Sequence, residues 1–261
     1  MRIALTRAVS AGIGRCELTH LERRPIDVER ARHQHRRYEE CLRDLGCRVQ
    51  RLPEEPELPD SVFVEDIAVV LDELAVITRP GARSRRGERR SIAAALEPYR
   101  PLRRIRAPGV LDGGDVLALG RDIYLGLSTR SNRDAAGQLH AAVAGCGYTV
   151  TEVEFRGCLH LKSAVTRVGE DTLLVNPEWV DAGVFRGLRC VAVDQREPMA
   201  ANALRVGTTV LVGAEYPSTG ERLVAQGIEV RPIDASELAK AEGGLTCCSL
   251  VFEAGEVDGC T

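Results

Sequence analysis

The chain is 261 residues long, with 35 Lys and Arg residues against 38 Asp and Glu residues, a formal net charge of −3, and 44% hydrophobic residues. This length and apolar fraction suffice for a packed core, and they exclude a disordered, collagen-like or low-complexity chain. The nearly balanced charge gives no global reason to bind nucleic acid or an anionic membrane. Because no apolar run approaches 18 residues and the first residues soon become polar, we expect no membrane span, no signal peptide and a cytoplasmic location.

The nine cysteines are an odd number without a repeating spacing. In an intracellular chain this pattern predicts reduced thiols and not a disulfide framework. A zinc site is disfavoured because the sequence has no C-x-x-C motif, and because His33 and His35, two apart on a predicted helix, point to different faces. We therefore expect no metal.

The first elements are a strand, a long loop and a helix. Residues 3–6 predict the strand, and the polar, glycine-containing segment 9–25 predicts a loop of the length that often forms a functional lid. A surface helix is expected to begin after the N-cap residue Asp27 and to stop at Gly46.

Pairs of short strands joined by tight turns then recur along the chain. The predicted pairs are 67–71 with 74–77, 116–119 with 123–126, 164–168 with 173–175, and 203–206 with 209–212. Helices are predicted after three of them, at 84–97, 132–145 and 218–227.

Each strand pair starts with polar residues that a buried strand does not need. The starts are Glu65-Asp66, Asp112 to Asp115, His160, Asn202 and Cys247-Cys248, and the steps from Asp66 to Asp115, His160, Asn202 and Cys247 are 49, 45, 42 and 45 residues. Such a period predicts a propeller or another repeat array. Five units would close into a ring, with the N-terminal strand and helix completing the unit that the C-terminal strand begins.

Taken singly, an Asp, a His or a Cys at a strand start is more often a turn residue, a satisfied histidine or an inert thiol. Because these residues recur together at a nearly constant spacing along the chain, we expect them to converge on one site. A thiol, an imidazole and several carboxylates favour nucleophilic attack on a cationic carbon, as in a guanidinium group, whose charge would also lower the pKa of the thiol. Arg85 and Arg130 are candidates to bind an anionic group, since a positive charge at a helix start opposes the helix dipole.

Seven segments, in order along nearly the whole chain, closely resemble the dimethylarginine dimethylaminohydrolases of the pentein superfamily. They include LPDSVFVED at 58–66, ITRPG at 77–81, LDGGDV at 111–116, LHLKS at 159–163, AAN at 200–202 and LTCCS at 245–249. The resemblance implies an α/β fold, a five-bladed propeller of ββαβ modules around a central active-site channel, with residues 1–261 as a single domain.

The resemblance also implies an enzyme that hydrolyses N-omega-methylated arginines to citrulline and methylamine or dimethylamine without a cofactor. Its small-molecule substrate would be attacked by Cys247, with His160 as the acid and base and Asp112 as the carboxylate paired with that histidine. The implied substrate-binding residues are Glu65 and Asp66 for the guanidinium group, Arg85 and Arg130 for the α-carboxylate, Asp60 for the amino-acid end, and Leu18 and Ala241 through their backbones.

Some alternatives stay open. Spacing alone does not decide between Cys247 and Cys248 as nucleophile, because successive strand residues face opposite sides. Ala241 is smaller than the family's residue and the loop 11–24 matches poorly outside Leu18, so the preferred arginine derivative is not fixed. The competing functions are a deiminase acting on arginine or N-omega-hydroxyarginine, an amidinotransferase, and a non-catalytic propeller that binds a partner. A homodimer is possible.

Overall fold

The computed structural model describes residues 1–255. Within that range the strands form five sheets of three strands each. In chain order the strands are β1 (Arg2–Arg7), β2 (Arg48–Leu52), β3 (Ala68–Val70), β4 (Ala75–Ile77), β5 (Leu102–Arg104), β6 (Val116–Leu119), β7 (Asp122–Leu127), β8 (Thr149–Glu154), β9 (Val165–Arg167), β10 (Thr172–Val175), β11 (Arg189–Ala192), β12 (Leu204–Val206), β13 (Thr209–Gly213), β14 (Glu229–Ile233) and β15 (Leu250–Glu253).

Every sheet has the same topology. Its first strand is antiparallel to its middle strand, which is parallel to the third, as in β6-β7-β8, where Val116 lies opposite Leu125 and Asp122 lies opposite Thr149. The fifth sheet joins β15 to β1 and β2. The prediction that the two ends of the chain build one shared module is confirmed.

Two of the α-helices in residues 1–255 begin at a residue whose side chain caps the first turn. In chain order the α-helices are α1 (Val28–Asp44), α2 (Arg89–Leu96), α3 (Arg133–Val143), α4 (Leu161–Ala164), α5 (Pro217–Ala225) and α6 (Ser236–Ala239). The side chains of Asp27 and Asn132 accept hydrogen bonds from the first turns of α1 and α3, so both predicted helix starts are confirmed. The stretch predicted as one helix at 84–97 is instead a 3-10 segment, Arg83–Glu88, followed by α2.

The third strand of each sheet was not predicted from local sequence patterns. These strands lie at sheet edges and are largely exposed, as in β8 (sequence TVTEVE) and β2 (sequence RVQRL). The middle strands are far more buried, and β10 and β13 are buried throughout. Alternating or continuous apolar residues therefore indicated the first and middle strands of each sheet. The third strands have no comparable apolar pattern.

The core is divided among the modules instead of forming one central mass. Among residues 1–255, five separate apolar clusters pack between sheets and helices. The first strands of the sheets surround a channel of about 650 Å³, whose wall includes Val70, Ala118, Arg167, Arg205 and Val251. This ring of first strands sets the position of the candidate site.

Most cysteines of residues 1–255 are free thiols, as predicted. The free thiols are Cys16, Cys41, Cys47, Cys158, Cys190, Cys247 and Cys248. Cys146 is disulfide-bonded, so the prediction of reduced thiols is wrong at that position. In the same range no helix has the length and apolar character needed to cross a membrane.

Candidate active site

A single helical turn precedes the first strand of each module. It carries or adjoins the polar residues that the sequence analysis placed at the strand starts. Turns of 3-10 helix cover Val64–Ile67, Gly113–Asp115, Pro198–Ala201 and Thr246–Cys248, and α4 follows directly after His160. Because the first strands surround one channel, these turns meet at one end of it. Residues that are far apart in sequence are thereby brought together.

A cavity of about 20 Å³ lies among these turns, with room for roughly one water molecule. Of the ten predicted site residues, seven line it: Asp60, Asp66, Arg85, Arg130, His160, Ala241 and Cys247. The other three, Asp112, Leu18 and Glu65, do not line the cavity. Asp112 contacts the ring of His160, which does line it. A ligand the size of an amino acid therefore requires the cavity lining to move.

The Cys247 thiol is buried and lies in an acidic environment. Its Sγ accepts a hydrogen bond from the backbone N–H of Gly244 at 3.3 Å. Burial, followed by the negative charges of Glu65 and Asp66, raises the pKa of this thiol well above its ordinary value. The thiol is therefore protonated near neutral pH, and a bound cation would oppose the negative field that keeps it protonated.

The neighbouring Cys248 faces a different environment. It is 1% exposed, its thiol donates to the carbonyl oxygen of Gly244 at 3.4 Å, and it packs in the apolar cluster beneath α1 that also includes Cys247. Cys248 does not line the cavity that holds Cys247. The two thiols therefore differ in access, which favours Cys247 as the reactive one.

His160 is surrounded by carboxylates. Its Nε2 lies 3.1 Å from Oδ2 of Asp112 and its Nδ1 lies 3.8 Å from Oδ1 of Asp66. Burial disfavours the charged imidazole, but Asp66, Asp112 and Asp115 outweigh it and raise the pKa of His160 to about 9. This histidine is therefore an imidazolium at neutral pH, able to donate a proton.

The turn before β6 needs glycine because the charged groups approach it so closely. A Cβ atom on Gly114 would lie 2.7 Å from the His160 ring and 2.8 Å from Oδ1 of Asp66, and one on Gly113 would lie 2.0 Å from the carbonyl oxygen of Glu65. The Gly114 N–H instead donates to Asp66 at 3.0 Å. The two glycines of LDGGDV therefore allow the carboxylates and the imidazole to meet.

Asp66 is fixed by a buried arginine. Arg85 donates to Asp66 at 2.5 Å and to both oxygens of Glu88, at 3.0 and 2.9 Å. Although burial opposes ionisation, His160 and Arg85 lower the pKa of Asp66 to about 2, whereas burial raises the pKa of Glu88 to about 7. Most donors of Arg85 are thus used within the protein, which supports a role in holding Asp66 beside any contact with substrate.

Glu65 faces away from the cavity. One carboxylate oxygen accepts from Lys162 Nζ at 2.5 Å and the other accepts from Thr246 Oγ1 at 2.7 Å. Glu65, Lys162 and Thr246 all border the channel of about 650 Å³. The predicted contact of Glu65 with a guanidinium group is not formed by this geometry and stays a prediction.

The lid loop, residues 17–21, covers the cavity. Asp60 accepts from the Glu17 N–H with both carboxylate oxygens, each at 3.2 Å, and Arg130 donates to Thr19 Oγ1 at 2.9 Å. Leu18 is half-buried against the apolar cluster that includes Cys248. Two residues predicted to bind substrate, Asp60 and Arg130, therefore hold this loop.

Two residues that support the site were missing from the predicted set. Asp115 accepts from the Leu161 N–H at 3.0 Å and from Ser131 Oγ at 2.6 Å, which fixes the backbone next to His160. Glu88 completes the buried contacts of Arg85. Asp115 had a signal, its place in the LDGGDV segment, and the i, i+3 spacing of Arg85 and Glu88 was another.

Three of these side chains also form a set that a divalent cation can use. The ligand atoms of Asp66, Asp112 and His160 lie within 4.8 Å of one another. Metal binding would require the neutral imidazole, whereas the carboxylates stabilise its protonated form. A metal-free site stays a prediction.

Known structures share this architecture. A dimethylarginine dimethylaminohydrolase (DDAH) from Pseudomonas aeruginosa was crystallised as a cysteine-to-serine mutant complexed with citrulline. It aligns with a TM-score of 0.91 at 33% identity over 95% of this chain and 98% of that chain. The N-terminal domain of a cyanobacterial arginine dihydrolase aligns with a TM-score of 0.87 at 19% identity over 96% of this chain and 98% of that chain, which shows the fold alone. The chain is a pentein-fold hydrolase, and the predicted fold class is confirmed.

Sequence relatives define the family within that class. The family model described as "N,N dimethylarginine dimethylhydrolase, eukaryotic" matches residues 19–189. The N(G),N(G)-dimethylarginine dimethylaminohydrolase of Streptomyces coelicolor is 37% identical over 95% of both chains, and that of Pseudomonas aeruginosa is 35% identical over 87% of this chain and 90% of its own. The chain belongs to the dimethylarginine dimethylaminohydrolase family.

Proposed function

We propose that this protein hydrolyses N-omega-methylated L-arginines to L-citrulline and methylamine or dimethylamine. The observation that carries the proposal is one buried cavity that holds a thiol, an imidazolium and an ionised carboxylate, Cys247, His160 and Asp66. A pocket with this charge favours a cationic substrate over a neutral amide. The names of the relatives support the same substrate class.

In the first half of the proposed reaction, the cationic guanidinium group binds beside Asp66 and offsets the negative field at Cys247. The thiol then loses its proton to solvent, and the thiolate forms a bond to the guanidinium carbon. The bond from that carbon to the methylated nitrogen breaks as His160 donates its proton to the departing amine. A thiouronium group remains attached to Cys247.

In the second half, the neutral His160 accepts a proton from water, and the water oxygen attacks the same carbon. The carbon–sulfur bond then breaks, the sulfur leaves with the remaining proton of the attacking water as the Cys247 thiol, and the carbon keeps the new oxygen as the ureido carbonyl of citrulline. Asp112 holds the imidazole through its contact at 3.1 Å and stabilises the charged form that starts the first half and is re-formed in the second.

Substrate recognition is proposed to involve the remaining predicted residues of the lining, together with Leu18 of the lid loop. Arg130 and Arg85 would face the α-carboxylate, Asp60 would receive the amino-acid end, and the backbones of Leu18 and Ala241 would contact the substrate from the lid loop and the opposite wall. Arg130 is the better placed of the two arginines, because most donors of Arg85 are already paired.

The test is citrulline formation from asymmetric dimethylarginine, monomethylarginine, N-omega-hydroxyarginine and arginine, each incubated separately with the purified protein. The proposal expects turnover of the two methylated substrates and little of arginine. Turnover of arginine or hydroxyarginine alone would keep the chemistry but reassign the enzyme. No citrulline from any of the four would contradict the proposal.

We further propose a metal-independent cytoplasmic enzyme in which residues 1–261 act as one domain. The pairing of β15 with β1 supports a single domain, because one sheet needs both ends of the chain. Activity unchanged after prolonged treatment with EDTA is the expected result, and a loss reversed by a divalent cation would contradict it. A homodimer and the lack of nucleic-acid or membrane partners stay predictions.

A further inference from the structure

Glu242, which lies beside the cavity but outside the predicted set, binds the backbone of the lid loop. Its carboxylate accepts three hydrogen bonds from successive N–H groups, those of Thr19 at 3.0 Å, His20 at 2.5 Å and Leu21 at 2.6 Å. Successive N–H groups that converge on one anion form a backbone nest, and bonds to a charged acceptor are stronger than neutral ones. One side chain therefore holds the outer half of the lid loop.

The backbone of Glu242 is strained. Its φ is +58°, the one positive value among non-glycine residues in the range 1–255. A left-handed conformation costs a side-chain-bearing residue free energy, and the turn after a helix such as α6 usually places glycine there. Glycine occupies positions 243 and 244 but not 242. A strained residue held by specific contacts points to a role for its side chain.

The loop that Glu242 holds must move during turnover. The cavity beneath it measures about 20 Å³, and Glu17, Ala241 and Glu242 are part of its lining. The loop has no strand or α-helix of its own, and Thr19, His20 and Leu21 are all exposed. The contacts with Glu242 are therefore available to break and re-form while the buried residues beneath the loop, Cys247, His160 and Asp66, keep their contacts.

We propose that Glu242 is a positioning residue that latches the lid loop over bound substrate, acting through the loop and not on the reacting atoms. This inference rests on the proposed function, since it names how that site retains its substrate. Without the latch the closed loop is a smaller fraction of the population, and the apparent affinity for substrate falls by that fraction. Chemistry in the closed complex is unchanged.

The test compares E242G, E242Q and wild type. Glycine removes the carboxylate and relieves the strain at φ +58°, so a stable fold is expected with a melting temperature equal to or above that of wild type. We expect KM for asymmetric dimethylarginine to rise about tenfold in E242G, with kcat within about threefold of wild type. Glutamine keeps acceptor oxygen without the charge, and E242Q should fall between the two.

Limited trypsin digestion measures the latch without any turnover. Cleavage after Arg23, an exposed residue just beyond the lid loop, reports the open population, and the E242G rate should rise about tenfold. The matched control is Glu178→Gly, which removes an exposed glutamate from a turn in another module. It should change neither KM nor cleavage.

Two results would overturn the latch. One is an E242G protein with wild-type KM and wild-type cleavage after Arg23. The other is an E242G protein with a lowered melting temperature and equal losses in kcat and kcat/KM, which would mark Glu242 as merely structural. If wild type itself fails to turn over methylarginines, the proposed function fails, while the trypsin comparison still decides whether the latch exists.

Discussion

The cavity floor and the lid loop are built in different ways. The floor, formed by Cys247, His160, Asp66 and Asp112, is buried and sits on turns that lead directly into strands. The lid loop is exposed and is held by side chains from three other segments, Asp60, Arg130 and Glu242. Reactivity and access can therefore be changed separately, because substitutions in the floor should act on kcat and those around the lid loop on KM.

Two buried carboxylates that share Arg85 show how the surroundings set the charge of a group. Asp66 and Glu88 both bind Arg85, yet the pKa of Asp66 falls to about 2 while that of Glu88 rises to about 7. Both are desolvated, but Asp66 also receives the charge of His160 and the Gly114 N–H. The floor therefore keeps its negative charge next to the imidazolium, where the proposed cationic substrate would bind.

The largest effect is expected from the nucleophile. Cys247→Ser should lower kcat at least about 1000-fold, because a serine hydroxyl beside Asp66 and Glu65 has no comparable way to ionise. Cys248→Ser is the matched control, with kcat expected within about fivefold of wild type. Its cost should appear in stability, at roughly 1–2 kcal/mol for a hydroxyl in an apolar cluster. Steady-state kinetics and thermal unfolding of both variants measure this, and the reverse ranking of kcat would move the assignment to Cys248.

A pH-dependent effect of intermediate size is expected from Asp112. With the pKa of His160 at about 9, kcat/KM should fall as pH rises through 9, since the amine then lacks its proton donor. Asp112→Asn removes one contribution that raises this pKa, so the alkaline limb should move toward neutral pH and kcat at pH 7.5 should fall about tenfold. Full pH profiles measure both values.

The control for this variant is Asp72→Asn, which removes an exposed carboxylate from a hairpin turn. An alkaline limb left in place by Asp112→Asn would contradict the assigned pairing of Asp112 with His160.

The pH dependence of the unfolding free energy gives a second test of the raised pKa of His160. Because the folded pKa of His160 lies above its ordinary value of 6.5, its stabilisation is complete below pH 6.5 and is lost as pH rises through about 9. The wild-type unfolding free energy should carry this decline, and His160→Gly should lack it.

The sequence predicted the floor better than the lid for a physical reason. The floor residues occur at a fixed position in each repeat, so the steps of 42 to 49 residues placed them at one end of the ring before any contact was known. Even there, the direction of a side chain was harder to predict than its position, because Glu65 and Asp66 are adjacent yet face the channel and the cavity respectively.

The lid lies outside the repeat and has no periodic signal. Leu18 was identified by resemblance alone, and the Glu242 contacts depend on a left-handed residue that local preferences do not predict. Those contacts join residues more than 220 positions apart in the chain. Pairing at that separation follows from the closed ring and not from any local pattern.

The smallest effect is expected from Thr19, which contributes one exposed hydrogen bond to the lid loop. Thr19→Val removes the acceptor of Arg130 at 2.9 Å while keeping the shape of the side chain. A single bond of this kind contributes little in water, so KM should rise about twofold and kcat should not change. Substrate titrations against wild type and E242G measure the order of the three KM values. A KM below that of wild type would contradict the expectation, because it would mean that Thr19 competes with substrate for Arg130 and that this contact opens when the lid closes.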